Sequence, residues 1–91
     1  MRLDKFLKVS RIIKRRTVAK SIADQGRILI NNKQAKSSSS VKAGDVLTIN
    51  FGNKTEKVKI NQIVETTKKV EAENMYTIID ESFKEDFSNP F

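Results

Sequence analysis

Ninety-one residues suffice for one compact domain and are too few for a binding module beside a separate catalytic domain. The chain has no cysteine and no histidine, which removes disulfides, soft metal sites and Cys/His or Ser/His nucleophiles, so we expect no enzyme activity, no cofactor and no metal. The formal charge of +7 is uneven: residues 1–36 hold eleven Lys or Arg against Asp4 and Asp24, whereas residues 37–91 hold seven lysines against nine acids, an asymmetry that points to an acidic partner, nucleic acid or anionic membrane.

Leu3, Phe6, Leu7 and the small Ser10 recur at i, i+3, i+4 and i+7, one stripe of a first helix. At about 100° per residue, Lys5 and Lys8 point away from that stripe, while Asp4 and Arg11 share a flank. After Ile12 and Ile13, a second helix is expected over about Arg16 to Gln25, burying Val18, Ala19, Ile22 and Ala23. Thr17 offers an N-cap hydroxyl unless Arg16 is already helical, and Gly26 is placed to close the helix. Arg16, Lys20 and Asp24 fall at i, i+4 and i+8, the spacing of a solvated face with one ion pair.

Beyond Gly26 the period changes to 2, with Ile28 and Ile30 on one face of a short strand in "RILIN". Asn31-Asn32 reads as a tight turn, because Asn tolerates positive φ. The four serines of "KQAKSSSSVKAGD" suggest a linker, but Val41 and the Ala43-Gly44-Asp45 turn follow at once, which favours an ordered loop. "VLTINF" and "TEKVKINQIV" then form a hairpin around Gly52-Asn53, with Val58, Ile60 and Ile63 on its apolar face. "ETTKKVEAEN" reads as a loop with a helical turn, and "MYTII" as the last strand. The acidic tail "DESFKEDFSNPF" places Phe83, Phe87 and Phe91 four apart; a frayed tail is favoured over a docking helix. The expected architecture is α+β, two N-terminal helices packed on a small antiparallel sheet over residues 1–80, with a flexible tail over 81–91.

No apolar run exceeds three residues, far below the roughly 20 of a membrane span. Charges also interrupt "MRLDKFLKVS", where a secretory signal needs about 7 to 15 continuous apolar residues, so a soluble, cytoplasmic protein is expected. The helices lack the Trp/Phe/Leu-rich face of an interfacial anchor, which disfavours a membrane partner.

"RIIKRRTVAK", residues 11–20, carries five positive charges and no negative one. Rigid helices can present Arg and Lys at fixed separations to the phosphates of a folded RNA, whose duplexes are read mainly by shape and backbone. One Tyr and no Trp argue against a stacking platform for single strands. On this reading the run is a phosphate-facing surface, with Ile12, Ile13 and Val18 turned inward.

"RLDKFL" at the start, Arg11, Arg15-Arg16, Ala19, Gly26, "INN", Lys36, Ser38, Val41 and Gly44-Asp45 together resemble the RNA-binding domain named after small-subunit ribosomal protein four, the S-four-like domain, over about residues 2 to 50. "MRLDKFLKVSR", "IKRRT", "ADQGRI", "TTKK" with "EA", and "NMYTI" extend the likeness to Ile79 and resemble the RqcP family of stand-alone S-four-like proteins in bacterial ribosome-associated quality control. That resemblance implies binding to obstructed large ribosomal subunits through their RNA and the peptidyl-tRNA; the chain is expected to be a monomer. The resemblance also implies a partner, RqcH, which recruits alanyl-tRNA for C-terminal alanine tailing. The alternatives are a general rRNA-binding protein and the heat-shock S-four-like proteins, which bind free large subunits bearing nascent chains but carry a long basic C-terminal extension where this chain is acidic.

The chain departs from the family pattern at two places. Asn31-Asn32 replaces the usual Asn-Gly turn, and Arg15 replaces a threonine N-cap, a loss of about 1 kcal/mol if nothing substitutes. The expected RNA-binding set is Arg2, Lys5, Lys8, Arg11, Lys14, Arg15, Arg16 and Lys20, with Arg2 and Arg16 foremost. Arg27 and Lys36 are either phosphate contacts or solvated edges. Asp4 is expected to orient Lys8 or Arg11, and Gly26, Gly44 and Asp45 to shape turns.

Overall fold

Seven residues, Leu3–Val9, form helix α1, in a computed structural model that describes residues 1–65 and 74–83. So short a helix does not hold by itself in water. Leu3, Phe6, Leu7 and Ser10 are buried as the stripe predicts, and the first backbone N–H groups find carbonyls in the serine loop. Leu3 N–H donates to Ser39 O at 2.7 Å and Asp4 N–H to Ser37 O at 3.2 Å. These bonds stand in for the missing side-chain cap at Arg2. The loop of four serines is therefore ordered, and an antiparallel bridge between Arg2 and Ser40 continues the contact.

Arg11 lies past the end of α1 in the left-handed region, at φ 63°. The backbone reverses there, with Arg11 N–H on Lys8 O at 3.0 Å and Ile13 N–H on Leu7 O at 3.0 Å. The flank expected to carry Asp4 and Arg11 together thus does not exist. Helix α2 spans Arg16–Asp24 and ends in a Schellman motif around Gly26 at φ 80°. Gly26 N–H donates to Ala23 O at 3.0 Å and Arg27 N–H to Ile22 O at 3.2 Å. Its N-cap is Arg15, with no side-chain cap bond, and Thr17 is inside the helix. Ala19 and Ala23 are fully buried, Ile22 only partly, and Val18 is 42% exposed, so Val18 is not core. The two alanines let α2 approach its neighbours closely, which narrows the buried arc and leaves Val18 outside it. Ile13 is buried and Ile12 half-buried.

Strands β1 (Ile28–Ile30), β2 (Lys33–Gln34), β3 (Val46–Asn50), β4 (Lys54–Ile60) and β5 (Tyr76–Phe83) follow. They make one antiparallel sheet in the order β2-β1-β3-β4-β5. Asn31 and Asn32, at φ 52° and 70°, make the β1–β2 turn, as a two-residue hairpin with positive φ at both positions requires. Asn31 also fixes the start of β3: its Oδ1 accepts from Val46 N–H at 3.0 Å and its Nδ2 donates to Asp45 Oδ1 at 3.1 Å. Alternation turns Ile28, Leu47, Ile49, Val58 and Ile60 toward α1 and α2, all buried, with Met75 closing the end of the core. A register shift at Lys57/Val58 lies between β4 and β5, and β5 runs through Phe83, beyond "MYTII". The helical turn expected near residues 66–73 and the phenylalanines at 87 and 91 lie outside the described residues. Among the described residues no helix is long and apolar enough to cross a membrane.

Candidate nucleic-acid interface

Where α1 begins and α2 begins, two guanidiniums meet one carboxylate. Arg2 Nε donates to Asp4 Oδ1 and its Nη2 to Asp4 Oδ2, both at 3.2 Å, the side-on fork that planar guanidinium favours. Arg16 Nη2 donates to the same Oδ1 at 3.3 Å. The Asp4 side chain is only 3% exposed, whereas Arg2 and Arg16 are 49% and 45% exposed. The buried acid is thus an anchor, and the cations keep free N–H donors toward solvent. Burial pushes the Asp4 carboxyl up, but hydrogen bonds and charge from Arg2 and Arg16 outweigh it and hold the group below its ordinary value. Asp4 therefore orients Arg2 and Arg16, not Lys8 or Arg11.

Most other expected cations lie on the same two helices or between them. Lys8, Lys14 and Arg15 are exposed on or between the helices, and Arg11 is exposed at the left-handed corner. Lys5 donates to Glu65 Oε1 at 2.6 Å, a bridge from α1 to the segment after β4; this hydrogen bond lowers the Glu65 carboxyl. Lys20 donates to Asp24 Oδ2 at 3.2 Å, the one ion pair expected of the helix face. Two expected residues lie outside the helices. Lys36 opens the serine loop, and Arg27 lies between α2 and β1 on the far side of the sheet, where its guanidinium approaches Gly52.

Asp24 has a second role that spacing did not suggest. Its Oδ1 accepts from Ser37 N–H at 3.0 Å, so the end of α2 holds the same loop whose carbonyls cap α1. That backbone hydrogen bond is the main reason the Asp24 carboxyl is lowered, with Lys20 adding to it. Asp45, buried in the turn before β3, is pushed up by burial, but hydrogen bonds from Asn31 and from Lys42 N–H and Nζ lower it overall. The helical cations thus sit on a scaffold braced by acidic side chains and the serine loop, which gives them fixed separations.

Residues 1–47 match the S4 domain. Across 81 residues the chain is 67% identical to the RQC P-site tRNA stabilizing factor of Bacillus subtilis (strain 168), covering 89% of this chain and 94% of that protein. It is 38% identical over 60 residues to the heat shock protein 15 homolog of Haemophilus influenzae, covering 66% of this chain and 46% of that protein. The fold is similar to the trimeric structure of Vibrio cholerae Heat Shock Protein 15, with a TM-score of 0.79 at 30% identity over 86% of this chain and 80% of that one.

Proposed function

The chain belongs to the S4 domain family and, within it, to the RQC P-site tRNA stabilizing factors, and on that footing we propose that it holds peptidyl-tRNA on obstructed large ribosomal subunits. In this reading it is a binding protein without catalysis of its own, acting in the cytoplasm as a monomer. It contacts large-subunit RNA and tRNA while RqcH cycles to add the alanine tail, and peptide-bond formation stays with the ribosome.

The observation that carries the reading is the Arg2–Asp4–Arg16 cluster. A guanidinium has five N–H donors, and Asp4 takes two from Arg2 and one from Arg16. Both side chains are half-exposed and held at one edge by Asp4, so a phosphate can be bound at less cost in ordering two long side chains. The exposed Lys8, Lys14 and Arg15 add a local positive field that draws RNA toward this cluster. Against the heat-shock reading stands coverage: the chain spans nearly all of the Bacillus factor and less than half of the Haemophilus protein.

Sucrose-gradient sedimentation of the tagged protein tests this, wild type beside Arg2→Ala/Arg16→Ala, with each fraction probed for large subunits and peptidyl-tRNA. Wild type is expected with obstructed large subunits and the double variant at the top of the gradient. Wild type left at the top after translation is stalled would overturn the reading.

A further inference from the structure

The face of the sheet turned away from α1 and α2 holds a second set of cations. Because Glu56, Val58 and Ile60 are buried toward the helices, alternation sends Lys57 and Lys59 to the opposite face. The register places Lys57 beside Thr48 and Lys59 beside Val46, and Leu29 beside Thr48. Arg27 joins them through the backbone bond from Asn50 N–H to Arg27 O at 2.9 Å. Arg27, Leu29, Thr48, Asn50 and Thr55 line an open groove of about 240 Å³ on this face.

Three features distinguish this face from an ordinary solvated sheet face. Arg27, Lys57 and Lys59 form no ion pair among the described residues, whereas Arg2, Lys5, Arg16 and Lys20 all do. Glu56 and Glu81 bridge to Lys54, and among the described residues of β4 and β5 Asp80, opposite Lys57, is the one acid that shares the face. Besides Leu29 and Val46, the residues between the cations are Thr48, Thr55 and Asn50, whose hydroxyls and amide suit phosphate, sugar and 2′-hydroxyl contacts. Sheet spacing separates the Arg27 and Lys57 Cα atoms by about 12 Å, so the cations are spread along the face, as contact with successive groups of a polyanion requires.

We propose that this outer sheet face is a second RNA-binding surface, so that one copy of the chain clamps two RNA segments, one on the helices and one on the sheet. The inference rests on the RNA-binding reading above and adds to it a geometry: the two surfaces lie on opposite sides of a single hydrophobic core. A protein that stabilises one RNA against another needs such an arrangement, because contacts on one face alone attach it to either RNA without joining them.

Energy transfer between donor- and acceptor-labelled copies of one short RNA duplex, with full-length protein at low salt, tests the clamp, while anisotropy of a single labelled duplex reports simple binding. Wild type is expected to bind two duplexes and give transfer. Arg27→Ala/Lys57→Ala/Lys59→Ala should keep one duplex and lose roughly a hundredfold or more in the second binding step at low salt, as loss of three phosphate contacts implies. Lys59→Glu, at an exposed position, should weaken the same step if the triple variant does not fold. One duplex per wild-type protein, with sheet variants unchanged, would overturn the clamp and leave the RNA-binding reading intact. No duplex bound by wild type would overturn both, and transfer unaffected by either sheet variant would place the second duplex elsewhere and also refute the proposal.

Discussion

Arg16 reaches from the first residue of α2 to the buried carboxylate of Asp4 on α1, Nη2 to Oδ1 at 3.3 Å, and so couples the packing of the two helices to the aim of a cation. Two accounts of Asp4 make opposite predictions. If only net charge matters, Asp4→Ala raises the charge of the basic half by one and RNA affinity rises. If Asp4 fixes Arg2 and Arg16, affinity falls several-fold although charge increases, and we expect the fall. Stability should drop by about 1–2 kcal/mol, less than for most broken buried pairs, because the stranded guanidiniums are half-exposed and turn to water. RNA titration across salt concentrations, beside thermal unfolding, checks both.

Acid should unfold the protein through its aspartates. Asp4, Asp24 and Asp45 are all held below the ordinary value of 3.8 in the folded state. The unfolded chain therefore binds protons first, and the stability these groups give is present above about pH 4 to 5 and lost as pH falls through their folded values. Thermal unfolding between pH 3 and neutrality should show a plateau and then a fall. Asp45→Asn should flatten that fall more than Asp24→Asn, since the exposed Asp24 is screened by solvent. Equal acid sensitivity in all variants would refute the assignment.

Much of this architecture can be read directly from residue spacing. The Leu3, Phe6, Leu7 and Ser10 stripe, the Asn31-Asn32 turn and the alternation of Val58 and Ile60 all appear as the pattern predicts, since each depends on neighbours a few positions away. Val18 was misplaced because apolar character alone does not say how closely two alanines let a helix pack. The partners of Asp4 were hidden for a different reason: Arg2 and Arg16 stand two and twelve positions away, and a left-handed Arg11 interrupts the helical register between them. The ordered serine loop relies on backbone bonds, to which composition is blind.

Gly26 and Gly44 offer a controlled comparison. Both have positive φ, at 80° and 94°, so Ala at either costs roughly 1–2 kcal/mol in conformation. A Cβ at Gly44 would meet open space, whereas one at Gly26 would push aside the exposed, flexible Gln34 amide, breaking its hydrogen bond to Gly26 O at 3.3 Å. Chemical denaturation should find Gly26→Ala the more destabilising. Gly26→Ala/Gln34→Ala should be no less stable than Gly26→Ala if loss of that hydrogen bond is the whole difference.

Arg15 sets stability against binding at one position. As N-cap of α2 it has extended backbone, φ −109° and ψ 124°, and no side-chain hydrogen bond to the helix, so the first-turn N–H groups go without the hydroxyl or carboxylate that usually caps them. Arg15→Thr should therefore raise stability by about 0.5–1 kcal/mol, seen as a higher midpoint of thermal unfolding. If the Arg15 guanidinium touches phosphate, the same change should weaken RNA binding and reduce the slope of log K against log salt by roughly 0.7–0.9. A more stable variant with an unchanged salt slope would mean that Arg15 is a solvated charge. The phosphate-facing surface would then rest on the anchored Arg2 and Arg16 and their other neighbours.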